Sequence, residues 1–189
     1  MEINSAKFIK TAVGDDAVFL DGLPQVALIG RSNVGKSSTI NAFTKQKGLA
    51  IVSSSPGRTQ GLNIFLINEN RYLVDLPGYG FAKLSKNDRK WLHGLIDWYL
   101  FNDKFEQRLI VQIIDAGIGP TKDDLELLDV LKEHHKRVLV LANKVDKIKK
   151  SQYVSQCQKI KQQLGDIELM FYSSKTGLGI REAVARILC

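Results

Sequence analysis

Cysteine is scarce in this chain of 189 residues; there are two, Cys157 and Cys189. They lie far apart, with neither metal-ligand spacing nor a redox motif, and read as free thiols of a reducing cytoplasm. Cys189 is terminal, whereas a prenylation signal needs its cysteine four residues from the end. Long hydrophobic runs are missing too. No stretch approaches membrane-spanning length and the start lacks a signal-peptide pattern, so Met1 reads as the beginning of a mature cytoplasmic protein with no membrane partner. Internal repeats, low-complexity tracts and an interdomain linker are also absent. The expectation is one domain over residues 1–189, with 1–24 as an N-terminal extension packed on it, an entry segment suited to an added edge strand.

What is present is an ordinary globular composition with an excess of positive charge. Apolar residues make up 44% and charged residues 25%, which is enough apolar material for a core without staples. Lys and Arg number 27 against 20 acidic residues, a net charge of +7. That balance favours a polyanionic partner. No RNA-recognition motif is visible, so contact with RNA would run through surface charge and shape. Neither DNA nor self-association is indicated, and a monomer is expected.

The most informative stretch is Gly30-Arg31-Ser32-Asn33-Val34-Gly35-Lys36-Ser37, which fits G-x-x-x-x-G-K-[ST]. The apolar run 25–29 before it suits a buried parallel strand, and 38–43 after it can continue as a helix. Gly30 and Gly35 let the backbone turn sharply and approach an anion. Successive N–H groups then face a phosphate at the positive end of a helix dipole. Lys36 would add charge at the β- and γ-phosphates, and Ser37 would offer its hydroxyl to Mg²⁺.

Further along, residues 44–61 read as a long loop, rich in Ser, Pro and Gly at its end. Residues 62–67 and 71–74 read as a hairpin around Asn68-Glu69-Asn70. Ser85 with Asp88, and Thr121 with Asp124, read as helix caps. Apolar strands follow at 109–114, 138–141 and 167–171, and helices at 151–164 and 180–188. Strands alternating with helices predict a three-layer α/β fold: a mostly parallel six-stranded sheet with one antiparallel edge pair and helices on both faces.

Loops at the carboxyl ends of such strands bind ligands. Asp75-Leu76-Pro77-Gly78 offers a carboxylate that would hold Mg²⁺ through water and a Gly78 N–H that can reach a γ-phosphate. In Asn143-Lys144-Val145-Asp146, the Asp146 carboxylate can accept from N1–H and the 2-amino group of guanine, donors that adenine lacks. Asn143 would tie this loop to the phosphate loop, and the Lys144 stem would cover the base. N–H groups of Tyr172, Ser173 and Ser174 can meet the guanine O6. Gly57, Arg58, Thr59, Gln60 and Gly61 lie in the long loop, where the Thr59 hydroxyl would complete Mg²⁺ coordination only while a γ-phosphate is present. A P-loop ATPase or small-molecule kinase would require Asp146 to be incidental.

In this order and spacing the five stretches resemble a Ras-like GTPase across nearly the whole chain. Gly-Arg-Ser-Asn-Val-Gly-Lys-Ser, Pro-Gly-Arg-Thr-Gln and Asp-Leu-Pro-Gly-Tyr-Gly-Phe-Ala-Lys together look like the EngB (YihA/YsxC) family, within the TrmE–Era–EngA–EngB class. The segment at Lys7-Phe8-Ile9-Lys10 and the helix with Trp91 and Tyr99 also agree. The resemblance implies a Mg²⁺-dependent GTPase acting late in assembly of the large ribosomal subunit and needed for cell division and septation. It assigns Gly30–Ser37, Gly57–Gly61, Asp75–Gly78, Asn143–Asp146 and Tyr172–Ser174 to GTP. It assigns Ser37 and Thr59 to Mg²⁺, to which the residue reading above adds Asp75 through water, and Asn33, Lys36, Thr59 and Gly78 are the expected catalytic residues. Two departures stand out. The chain has Asn-Lys-Val-Asp where the family often has Thr-Lys-Ala-Asp. Tyr79 stands where Ras-type enzymes carry a water-orienting Gln, which implies slow intrinsic hydrolysis. In related GTPases an Asn at the position of Asn33 helps bind K⁺ beside the phosphates.

Overall fold

The apolar segments become strands β1 (Ala6–Ala12), β2 (Gln25–Gly30), β3 (Leu62–Ile67), β4 (Arg71–Asp75), β5 (Gln107–Asp115), β6 (Val138–Asn143) and β7 (Glu168–Phe171). The helices between them are α1 (Lys36–Thr44), α2 (Lys86–Leu100), α3 (Lys122–Glu133), α4 (Tyr153–Leu164) and α5 (Ile180–Leu188). The structure, a computed structural model, describes residues 2–52, 61–80 and 85–189. The expected residues Gly57, Arg58, Thr59 and Gln60 lie outside the described ones.

All seven strands join one sheet in the order β1-β3-β4-β2-β5-β6-β7. The expectation of six strands is corrected to seven, because residues 6–12 of the N-terminal extension pair antiparallel with β3. This gives two antiparallel pairings, β1 with β3 and β3 with β4, beside an otherwise parallel sheet. Lys7 and Lys10 on β1 are the charged side chains that discourage further pairing at an edge. The β3–β4 hairpin turns through Asn68 (φ 49°) and Glu69 (φ 56°), the two left-handed positions of a type I′ turn. The Asn68 carboxamide also accepts from the N–H groups of Asn4 and Ser5 and donates to the Glu2 carbonyl. It pins the start of the described chain to the turn.

Side chains alternate across the sheet. Val26 and Leu28 pack towards α1 and α5, with Ile40, Phe43, Ala183 and Ile187. Ala27 and Ile29 pack towards α2, with Leu92, Leu95, Ile96 and Tyr99. Ile114, Val140 and Ala142 meet α3 and α4 through Leu128, Ile160 and Leu164. The period of two along each strand therefore builds the three layers. The N-terminal extension is held by Phe19, which is buried among Trp98, Tyr99 and Phe105. Cys157 and Cys189 are free thiols. Among the described residues no helix is long and apolar enough to cross a membrane.

Strand β2 pairs with β4 on one side and β5 on the other. The chain thus leaves the carboxyl end of β2 at the point where the strand order reverses, the crevice that open α/β sheets use for ligands.

Candidate functional site

Four loops meet at that edge. The phosphate-type loop runs from Gly30 at the end of β2 to Lys36 at the start of α1. Gly30 passes so close to the Ile113 carbonyl of β5 that a Cβ would collide with it. Asn33 (φ 65°) and Gly35 (φ 105°) take left-handed backbone conformations, which wrap the loop around its own centre. Gly35 caps α1, and a Cβ there would stand 2.5 Å from Asn143 Nδ2.

Lys36 reaches back across the loop, its Nζ donating to the Gly30 carbonyl at 3.0 Å. Burial pushes its pKa down, and the Asp75 carboxylate opposes that shift. Asp75 ends β4 and is buried. Burial pushes its pKa up to about 6, against the lowering influence of Lys36 and a hydrogen bond from Asn63. Its Oδ1 has no hydrogen-bond partner among the described residues. A buried hard oxygen left over in this way fits a hydrated divalent cation, and Ser37, in the first turn of α1, carries the hydroxyl that the loop would supply to the same ion. Gly78 lies directly over the loop; a Cβ there would stand 2.9 Å from Lys36 Nζ and 3.0 Å from Ser32 Oγ. Leu76 N donates to Leu28 O, which extends the β2–β4 pairing, and Pro77 completes the bend to Gly78.

The raised Asp75 pKa has a testable sign. Its folded value lies above its ordinary value of 3.8, so the native state favours the protonated form. Its contribution to stability is full below about pH 4 and is lost as pH rises through about 6. Asp75→Asn removes that dependence. In nucleotide-free protein with chelator, the variant is expected to gain up to roughly 3 kcal/mol relative to wild type between pH 4 and 7. Paired urea melts across that range check this, and a difference that does not change with pH would refute it.

The third loop follows β6. Asn143 is buried and donates from Nδ2 to the Val34 carbonyl at 2.9 Å, the expected tie to the phosphate-type loop. Its Oδ1 accepts from the N–H of Lys144 and of Ser174, so one side chain fastens three loops. Lys144 (φ 67°) places Nζ 2.6 Å from the Asn33 carbonyl and 2.8 Å from Asp115 Oδ2. Its head group is therefore a strut between loops, and Asp115, at the end of β5, is its partner. Sequence reading noted Asp115 only as the end of a strand. Val145 is buried and anchors the loop. Asp146 is exposed and accepts at Oδ1 from Ser173 Oγ at 2.6 Å.

The fourth loop, after β7, differs from expectation in how its donors are used. Tyr172 N donates to Ala142 O, Ser173 N to Leu178 O and Ser174 N to Asn143 Oδ1. A base oxygen arriving at Ser174 would compete with Asn143. The Tyr172 ring is fully buried and its hydroxyl sits 2.6 Å from Thr39 Oγ1 of α1, so this side chain braces the core behind the site. Gly61, the one described member of the long-loop group, abuts β1, where a Cβ would press on the Ala12 carbonyl.

Tyr79 is the residue whose placement sequence reading missed. Its ring is buried, and its hydroxyl donates to Asp124 Oδ1 at 2.6 Å and accepts from Gln112 Nε2 at 2.7 Å. Burial, with the Asp124 carboxylate, pushes its pKa well above the usual phenol range. The side chain points into the fold, away from the loop over which Gly78 lies. The Arg31 side chain goes the same way, its Nε packed on Gly80 near Asp123. The one available signal was Gln112, a polar residue inside an apolar strand.

Residues 25–144 match the family model described as "50S ribosome-binding GTPase". The chain is 42% identical over 187 residues to the probable GTP-binding protein EngB of Clostridium perfringens (strain SM101), covering 97% of this chain and 94% of that protein. It is 40% identical over 186 residues to the Bacillus subtilis (strain 168) counterpart, covering 97% and 95%. Among solved structures, that of a probable GTP-binding protein engB superposes with a TM-score of 0.71 at 23% identity, covering 87% of this chain and 96% of that one. Era in complex with MgGDPNP and nucleotides 1506–1542 of 16S ribosomal RNA superposes with a TM-score of 0.70 at 27% identity, covering 87% and 55%.

Proposed function

From the premise that the chain belongs to the EngB family of GTP-binding, GTP-hydrolysing proteins, we propose that it is a Mg²⁺-dependent switch acting late in assembly of the large ribosomal subunit and needed for normal cell division and septation. The observation that carries the nucleotide part is the buried Asp75 Oδ1, which has no hydrogen-bond partner among the described residues and interacts electrostatically with Lys36, over whose amine Gly78 lies. Ser37, Asp75 through water, and Thr59 would hold Mg²⁺, which when bound neutralises charge on the β- and γ-phosphate oxygens.

The chain's own residues do the rest. The loop from Gly30 to Ser37 cradles the phosphates with backbone N–H groups, and Lys36 exchanges its Gly30 carbonyl for phosphate oxygens. Gly78 offers its N–H to the γ-phosphate, and Asp146 selects guanine. The two loops 44–61 and 76–86 then present a surface that exists in the GTP state. Era seen with ribosomal RNA supports an RNA-containing partner, and the charge of +7 supports one held electrostatically.

Sedimentation with purified large subunits tests this. Binding is expected with a non-hydrolysable GTP analogue and not with GDP, and it should weaken steeply between low and moderate salt. Equal binding in both nucleotide states would refute the switch. One observation favours a second reading, a low-turnover nucleotide-gated adaptor for division proteins: Tyr79 faces away from the phosphates and cannot orient water. Capture of division proteins without ribosomal subunits in the GTP state would support it. Asn33 motivates K⁺ as a further cofactor beside the phosphates; equal turnover in K⁺ and Na⁺ buffers, with and without subunits, would count against it.

A further inference from the structure

The segment after Gly78 is fixed at both ends of one residue. The Tyr79 carbonyl accepts from Ser32 N at 3.1 Å, and Tyr79 forms a parallel bridge with Arg31. Its hydroxyl is held by Asp124 and Gln112, all three side chains being buried. Gln112 Nε2 also donates to the Asp124 carbonyl at 3.0 Å. Asp124 is committed at its other oxygen, where Oδ2 accepts from Thr121 N and Thr121 Oγ1 and so caps α3. One residue therefore joins the phosphate loop by its main chain to α3 and β5 by its side chain. A residue held at its carbonyl and at its hydroxyl has little freedom left, and its neighbour Gly78 shares that restriction.

We propose that Tyr79 is a positioning residue, tying the segment after Gly78 to α3 and β5 so that the Gly78 amide already stands where the terminal phosphate arrives. This rests on the reading above that Gly78 meets the γ-phosphate. Only the triphosphate gains from that placement, because the diphosphate has no group there. Tyr79 thus does not replace the water-orienting Gln; it sets how well the protein tells GTP from GDP.

Tyr79→Phe keeps the ring and removes the hydroxyl. Among the described residues, Asp124 Oδ1 is then left with the 3.5 Å approach of Gln112 Nε2 alone. Affinity for a non-hydrolysable GTP analogue is expected to fall about tenfold, while affinity for GDP stays within about twofold. Gln112→Met leaves Tyr79 in place, removes the donor to its hydroxyl and should shift the same ratio in the same direction. Val184→Ala is the structural control. Val184 is buried on α5 in the core on the other face of the sheet, away from Tyr79, Gln112 and Asp124, so its truncation should lower the melting temperature and leave the ratio unchanged. An unchanged ratio in Tyr79→Phe, or an equal shift in Val184→Ala, overturns the proposal while leaving GTP binding intact. A wild-type protein that binds no guanine nucleotide overturns both this and the reading beneath it.

Discussion

Asp146→Asn is expected to exchange guanine for xanthine. The carboxylate offers two acceptors, which match the N1–H and 2-amino donors of guanine. With Asn, the oxygen still accepts from N1–H, but the amide nitrogen now faces a donor and is suited instead to the O2 of xanthine. The Ser173 hydroxyl that holds Oδ1 at 2.6 Å can hold the amide oxygen equally, so the loop should keep its shape. GTP affinity should fall by roughly 10²–10³, the scale set when a polar partner that the bound base would cover is lost or reversed. Xanthosine triphosphate should bind more tightly than to wild type. Competition titrations with a fluorescent nucleotide read both arms. Retention of full guanine preference would remove the basis for placing the purine at this loop.

Gly35→Ala should cost binding of every nucleotide, GDP and GTP alike. Two independent strains act at this position. The backbone sits at φ 105°, where a side chain is unfavourable. The new Cβ would also stand 2.5 Å from Asn143 Nδ2. Asn143 cannot yield cheaply, because it is buried and bonded to Val34, Lys144 and Ser174. Relief would have to come from parting the phosphate loop from the base loop. A loss of at least about a hundredfold in GDP affinity, worth nearly 3 kcal/mol, is expected. A variant that binds GDP within a fewfold of wild type would show that the Val34–Asn143 junction is not needed for binding.

Much of this arrangement was legible beforehand, for a physical reason. The strands that end at Gly30, Asp75 and Asn143 are short apolar runs stopped by polar residues, and the carboxyl ends of parallel strands must share one edge. The tie from Asn143 to the phosphate loop was readable for the same reason. Long-range side-chain pairings were not. Gln112 and Asp124 lie 33 and 45 residues from Tyr79, and no local spacing links them. Asp124 was read as a helix cap, which it is, but its second oxygen serves Tyr79. The Lys144 stem is expected over the base; the partners of its amine, Asn33 and Asp115, lie far off in sequence and were not legible, because a charge at the mouth of the sheet finds the nearest carboxylate. The edge strand β1 is legible as a segment but not in its pairing with β3, because an edge strand is decided by what lies opposite it.

The grip of Asn68 on Glu2, Asn4 and Ser5 has a practical consequence. The β3–β4 turn precedes β4, whose first residues pair with the start of β2, so it lies at the rim opposite the four loops. A surface tether or dye coupled at residue 2 would therefore hold the molecule with its nucleotide rim facing outward. Immobilised in that orientation, the protein would leave the same rim open to a large particle arriving from solution.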